Sequence, residues 1–265
     1  LVPDAVGVQW NVVNASGDLF VAYKASTYDP APTFAIYPVD RSSPWIMEGL
    51  AAFSDIGFGT FAAAGEPGSP NQDTFYVLDA QETADLPARA LHVVTRDGDT
   101  FVPESHLLTL EGPTLIHPGH CGFPHRLTGG IHLLCGGGLA LVVEDTGTVI
   151  ETPTIVPFSD VERTLDVDGL PMRFAPGRLA LFASDGTNRK FVRHDGVTQQ
   201  DILVGAAYEP QGFGLSPGGN IDFLAFDATS GSLVRGTIPP DSTEVTILSA
   251  EEIDLAETIT FTRIN

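Results

Sequence analysis

The chain has 265 residues, with 34 Asp and Glu against 13 Lys and Arg and a formal net charge of −21. That balance repels a phosphate backbone and an anionic lipid surface, so nucleic acid is excluded as a partner and an acidic membrane is disfavoured. The 43% of hydrophobic residues excludes a disordered chain, the 28 glycines and 20 prolines speak against a helical one, and no apolar run reaches the roughly 20 residues of a membrane span. Cations are what is scarce, with Lys24 and Lys190 the only lysines, so the charge reads as a solubility feature.

In chain order, one pattern recurs five times: a short apolar strand, a turn rich in Gly, Pro or Asn, then a second and more apolar strand. The first copy is Val8–Val13, a turn over Asn14–Asp18, and Leu19–Tyr23. The second is Gly57–Phe61, a longer turn through Pro67, Pro70 and Asp73, and Thr74–Leu78. The third is Gly122–Arg126, Thr128–Gly130 and Ile131–Leu134; the fourth is Met172–Phe174, Ala175–Gly177 and Leu179–Phe182. The fifth is Gly212–Leu215, Ser216–Asn220 and Ile221–Phe226. The second strands open at 19, 74, 131, 179 and 221, spacings of 55, 57, 48 and 42 residues. These are close to the roughly 40–50 residues of a four-stranded propeller blade with insertions in the early copies.

Further strand-like runs follow the hairpins at Thr33–Tyr37, Ala90–Val94, Leu139–Glu144, Ser232–Ile238 and Glu244–Leu248. Turns are expected at Asp97-Gly98-Asp99, Asp145-Thr146-Gly147, Asp185-Gly186-Thr187 and Asp195-Gly196, where residue types tolerant of positive φ cluster. The second strands are apolar on both faces, as strands sandwiched between neighbouring sheets must be. One helix is expected over Ser249–Glu257, with Ser249 as N-cap and Glu251 and Glu252 in its first turn.

The hairpin around Ser216-Pro217-Gly218-Gly219-Asn220 resembles the Ser-Pro-Asp-Gly-Lys hairpin of TolB-type and WD40-type β-propeller repeats. Asn14-Ala15-Ser16-Gly17-Asp18 and Ala175-Pro176-Gly177-Arg178 are looser versions of it. The Trp-Asp dipeptide of WD40 repeats and the double glycine of kelch repeats are missing, so the resemblance implies an architecture and brings no activity with it. The expected fold is all-β: a single domain over residues 1–265 forming a five-bladed β-propeller of four-stranded antiparallel blades, with six blades as the alternative. The final run Thr258–Thr262 is expected to pair into the first blade and close the ring, which removes exposed sheet edges.

Chemistry concentrates between Leu115 and Gly138. His117, His120, His125 and His132 fall there together with the two cysteines, Cys121 and Cys135. Imidazole and thiolate are ligands for Zn or Cu, and a divalent metal (Zn, Cu, Mn or Ca) is the cofactor this cluster would hold. The competing reading is a disulfide-stapled hairpin with clustered loop histidines. A two-residue turn at Thr128-Gly129 sets His125 opposite His132 and Cys121 opposite Gly136; a shift by one residue sets Cys121 opposite Cys135 instead. Both pairings together require a bulge, for which Gly136-Gly137-Gly138 is the candidate.

Carboxylates form the second candidate set. Asp55, Asp168 and Glu209 precede or open the second, fourth and fifth copies, where acids of a propeller-type glycosidase would stand. Asn14-Ala15-Ser16 is a glycosylation sequon, and Trp10 and Trp45 offer rings for sugar stacking. The single cysteine pair and the start at Leu1 rather than Met point to a secreted or periplasmic chain with an upstream segment removed. The expected function is a binding or scaffolding module with a protein or carbohydrate ligand at the funnel face. The alternative is a carbohydrate-active hydrolase or lyase using funnel carboxylates or a metal-bound histidine cluster.

Overall fold

Apolar residues at period two, interrupted by Asp-Gly and Pro-Gly turns, dictate strands rather than helices, and antiparallel strands joined by short turns are the outcome. The computed structural model describes residues 7–24, 33–40, 44–46, 61–65, 68–78, 88–112, 121–135, 137–164, 172–175, 178–205, 207–216 and 218–249. Among these there is no helix, and so none long and apolar enough to cross a membrane. The chain divides into two units, Leu1–Pro157 and Phe158–Asn265.

The first unit holds three four-stranded sheets, each an antiparallel meander in chain order. The first sheet is β1 (Gly7–Val13), β2 (Leu19–Lys24), β3 (Thr33–Tyr37) and β4 (Trp45–Ile46). The second is β5 (Phe61–Ala64), β6 (Thr74–Leu78), β7 (Ala88–Asp97) and β8 (Thr100–Thr109). The third is β9 (Cys121–Leu127), β10 (Gly130–Cys135), β11 (Gly138–Glu144) and β12 (Ile155–Pro157). Strand β6 shows why its run has no polar face. Phe75 and Val77 pack with Phe20, Phe34 and Ile36 of the first sheet, while Tyr76 and Leu78 pack with Ile131, Leu133 and Ala140 of the third. Strand β6 is thus buried on both faces, and each of these large side chains contributes roughly 1.5–3 kcal/mol on burial.

The second unit holds two sheets. One is β15 (Arg178–Ser184), β16 (Arg189–His194) and β17 (Gln199–Leu203), with two short strands sharing the edge of β15 away from β16: β13 (Arg163–Thr164) at one end and β14 (Met172–Ala175) at the other. The other is β18 (Tyr208–Leu215), β19 (Ile221–Asp227), β20 (Ser232–Ile238) and β21 (Thr246–Ser249). Phe191 joins the two, with ring centroids 5.2 Å from Phe182 and Phe213 and 5.4 Å from Phe223. Phe223 in turn lies across Gly236, its partner on β20, and a Cβ added there would stand 2.1 Å from the ring. Gly236→Ala is therefore expected to displace the Phe223 ring and cost about 1–3 kcal/mol, read as a lower urea midpoint with an unchanged slope.

All five hairpins of the sequence reading occur, with β2, β6, β10, β15 and β19 as their second strands and each second in its sheet. Two details differ. The first strand of the second hairpin is β5 at Phe61–Ala64, one strand-length later than Gly57–Phe61, and residues 57–60 lie outside the described residues. Ser249 closes β21 as a strand residue rather than capping a helix; the rest of the expected helix and the closing run 258–262 lie outside the described residues.

Candidate functional site

The β9–β10 hairpin brings the histidine and cysteine pairs together. Its two-residue turn, Thr128-Gly129, requires positive φ, which Gly129 adopts at 91° and Gly130 continues at 145°. That turn sets His132 opposite His125 and Leu133 opposite Pro124. The register then slips by one, so Leu134 faces Gly122 and Cys135 faces Cys121, which are joined as a disulfide. Both pairings therefore coexist through a bulge, but the extra residue is Phe123 of β9 and not one of Gly136-Gly137-Gly138. By the alternation from the Leu127–Gly130 closing pair, Pro124 stands at a non-hydrogen-bonded position, so its missing N–H costs the β9–β10 ladder nothing.

The two pairs occupy opposite faces. Cys121 and Cys135 are fully buried with Ile131 and Leu133 in the core shared with the second sheet. His132 is buried on the other face, with Nδ1 3.3 Å from the Gly130 carbonyl, and His125 beside it is half-buried. Both sulfurs are held in the disulfide and are no longer thiolate ligands. His117 and His120 lie outside the described residues, and among the described residues no three His, Cys, Asp or Glu gather as a metal site would require.

Of the three acids, Asp55 and Asp168 lie outside the described residues. Glu209 stands near the opening of β18, half-exposed, with its carboxylate 3.1 Å from the Arg189 guanidinium. Trp45 is partly buried and packs against the core between the first two sheets, its ring 5.9 Å from that of Phe101. Only the backbone of Trp10 is described. The Asn14 carboxamide is buried and donates to Asp18 Oδ2 at 3.1 Å, so in the folded chain the sequon is occupied internally.

No family model and no curated protein matches the chain. Among solved structures it is similar to a putative TolB from Agrobacterium tumefaciens, at 15% identity over 92% of this chain and 80% of that one, with a TM-score of 0.37. A score of that size is too low to carry a shared topology, so the sheets themselves bear the fold.

Three polar constellations have no local signature in the sequence. Asp18, fully buried at the β1–β2 turn, accepts from the Arg96 guanidinium at 2.6 Å, from the Val39 amide at 3.0 Å and from Asn14. Lys190, buried on β16, pairs with Asp201 of β17. His92 of β7 meets Ser105 of β8 with 2.7 Å between Nδ1 and Oγ. Burial, and secondarily the neighbouring His106, pushes the His92 pKa from 6.5 down to about 4. Burial also lowers that of His194, with Asp195 opposing.

A depressed folded-state pKa means the unfolded chain binds this proton first. The His92 contribution to stability is then complete above pH 6.5 and is lost as pH falls from 6.5 towards 4, by about 3 kcal/mol. His92→Gln, which retains a hydrogen-bonding partner for Ser105, is expected to flatten this limb. Urea midpoints of both proteins at pH 7 and at about pH 4.5 measure it, and equal pH dependence in the two would refute the assignment.

Proposed function

We propose that the chain is a five-bladed β-propeller over residues 1–265, acting as a secreted or periplasmic binding and scaffolding module. Its ligand or protein partner docks at the end of the sheets where the first strands begin. What supports the architecture is the repetition of a hairpin-led antiparallel sheet, with β6 apolar towards the sheets on either side. The Cys121–Cys135 bond supports the compartment, because such bonds persist where the surroundings are oxidising. In this reading the run 258–262 pairs into the first sheet and closes the ring.

The observation that carries the binding reading is an asymmetry between sheet ends. In the first unit the links at one end range from two residues, at 98–99 and 128–129, to ten, at 145–154. At the other end the sequence between strands covers 25–32, 47–60, 79–87 and 110–120, with one short link at 136–137. Long connections on a rigid scaffold are where recognition concentrates. Asp55, His117 and His120 belong to those stretches, Cys121 opens β9 and Glu209 is the second residue of β18, each at the corresponding end of its own sheet. Because propellers host many activities, the site and not the fold must decide between binding and catalysis.

A panel of soluble polysaccharides, read by thermal shift and by release of reducing ends, separates the readings. A saturable shift without new reducing ends is expected. Release of reducing ends that disappears in Glu209→Gln moves the assignment to the hydrolase. Stoichiometric Zn, Cu, Mn or Ca in untagged protein, lost in His125→Ala, moves it to the metal site.

A further inference from the structure

Sheet edges are normally kept short, because a row of unpaired N–H and C=O groups recruits other strands. The strands that close the other sheets, β4, β12, β17 and β21, follow this rule with two, three, five and four residues, and the longest that opens a sheet, β18, has eight. Strand β8 departs from it with ten. It is also the outermost strand of its sheet, and it exposes Val102 at 51% and Leu107 at 64%. The orientation of its backbone follows from its far end. The Thr109 amide donates to the Glu151 carbonyl at 2.7 Å and the Glu111 amide to the Pro153 carbonyl at 3.0 Å, so both point away from β7. By the alternation of an extended strand, Ser105 and Leu107 turn their N–H and C=O outward too, and Pro103 its C=O. Among the described residues nothing pairs with this stretch of the edge.

The sequence of the edge, Val102-Pro103-Glu104-Ser105-His106-Leu107-Leu108, complements itself about its centre. We propose that β8 is a self-association edge, on which two copies of this chain pair antiparallel about a two-fold axis at Ser105. In that register the Ser105 amides and carbonyls of the two copies exchange hydrogen bonds. Each Leu107 amide donates to the Pro103 carbonyl of the other copy. Glu104 lies opposite His106 of the second copy on one face, and Leu107 opposite Pro103 on the other. Shifting the axis by one residue to Glu104 would set two carboxylates face to face, so charge selects the register. Pairing ends at Thr109, whose amide is already held by Glu151. A second copy carries the same net charge of −21, so the association is expected to strengthen with salt, which screens charges beyond about 10 Å at 0.1 M.

The test is sedimentation velocity of the full chain at about 100 µM in low and high salt. A dimer that gains population with salt is expected. Leu107→Asp, at an exposed position, is expected to raise the dissociation constant about tenfold or more, while Leu203→Asp on the edge strand β17 leaves it unchanged. Ser105→Cys is expected to give a covalent dimer on oxidation, since the two Cα atoms of such a pair stand about 5.5 Å apart. A monomer at both salt concentrations, or a dimer insensitive to Leu107→Asp and not trapped by Ser105→Cys, overturns the proposal, and a far-ultraviolet spectrum like that of the parent chain shows that each variant has folded.

Discussion

Asp18→Ala is expected to lower stability by about 3–5 kcal/mol, which for a chain of this length is roughly 10 °C in melting temperature. The carboxylate is fully buried and gathers three donors from three places in the first two sheets. Truncation leaves the Arg96 guanidinium without its anion and the Val39 amide and Asn14 carboxamide without an acceptor, and uncompensated polar groups make such losses large. Asp18→Asn, which keeps an acceptor oxygen, is expected to cost less than half as much. Thermal melts of the two variants beside Arg96→Ala measure it. Equal melting temperatures for Asp18→Ala and the parent would show that the ion pair does not hold the β1–β2 turn to β7.

The second large effect is that of the disulfide. Cys121 and Cys135 are separated by 14 positions, and closing a loop of that length restricts the unfolded chain by about 3 kcal/mol. The double variant Cys121→Ala/Cys135→Ala is therefore expected to melt about 6–12 °C below the oxidised parent. The parent in reductant should fall nearly as far. Alanine suits this test because both sites are buried among Ile131, Leu133 and Tyr76, where a serine hydroxyl would add a cost of its own. Identical melts with and without reductant would place the bond outside the folding equilibrium.

The five hairpins are legible from the chain because each apolar second strand is preceded by Gly-, Pro- or Asn-rich punctuation, which is a local signal. Most edge strands are not, although the run Glu244–Leu248 overlaps β21. Strand β8 mixes Pro103, Glu104, Ser105 and His106 into its middle and has no clean alternation, because most of it faces water. Strands β4 and β13, at two residues each, exist only through their partners. In the candidate site, the need for a bulge follows from arithmetic on the turn, but that arithmetic does not place it at Phe123. Asp18 reads as an ordinary turn residue because its cation, Arg96, lies 78 positions downstream, and no pattern in a short window connects them. The same blindness applies to the His92–Ser105 contact, which exists only once β7 and β8 are in register.

The displaced register of the β9–β10 hairpin has a consequence for biogenesis. A nascent hairpin zipped without the Phe123 kink would carry its two thiols on opposite sides of the ribbon, out of reach of each other. Oxidation then requires either the slip at Phe123 or a one-residue shift of the whole ribbon, and of these two only the slip keeps the imidazoles paired, so the sulfur bond fixes the hairpin in a register that a bare ladder would not hold.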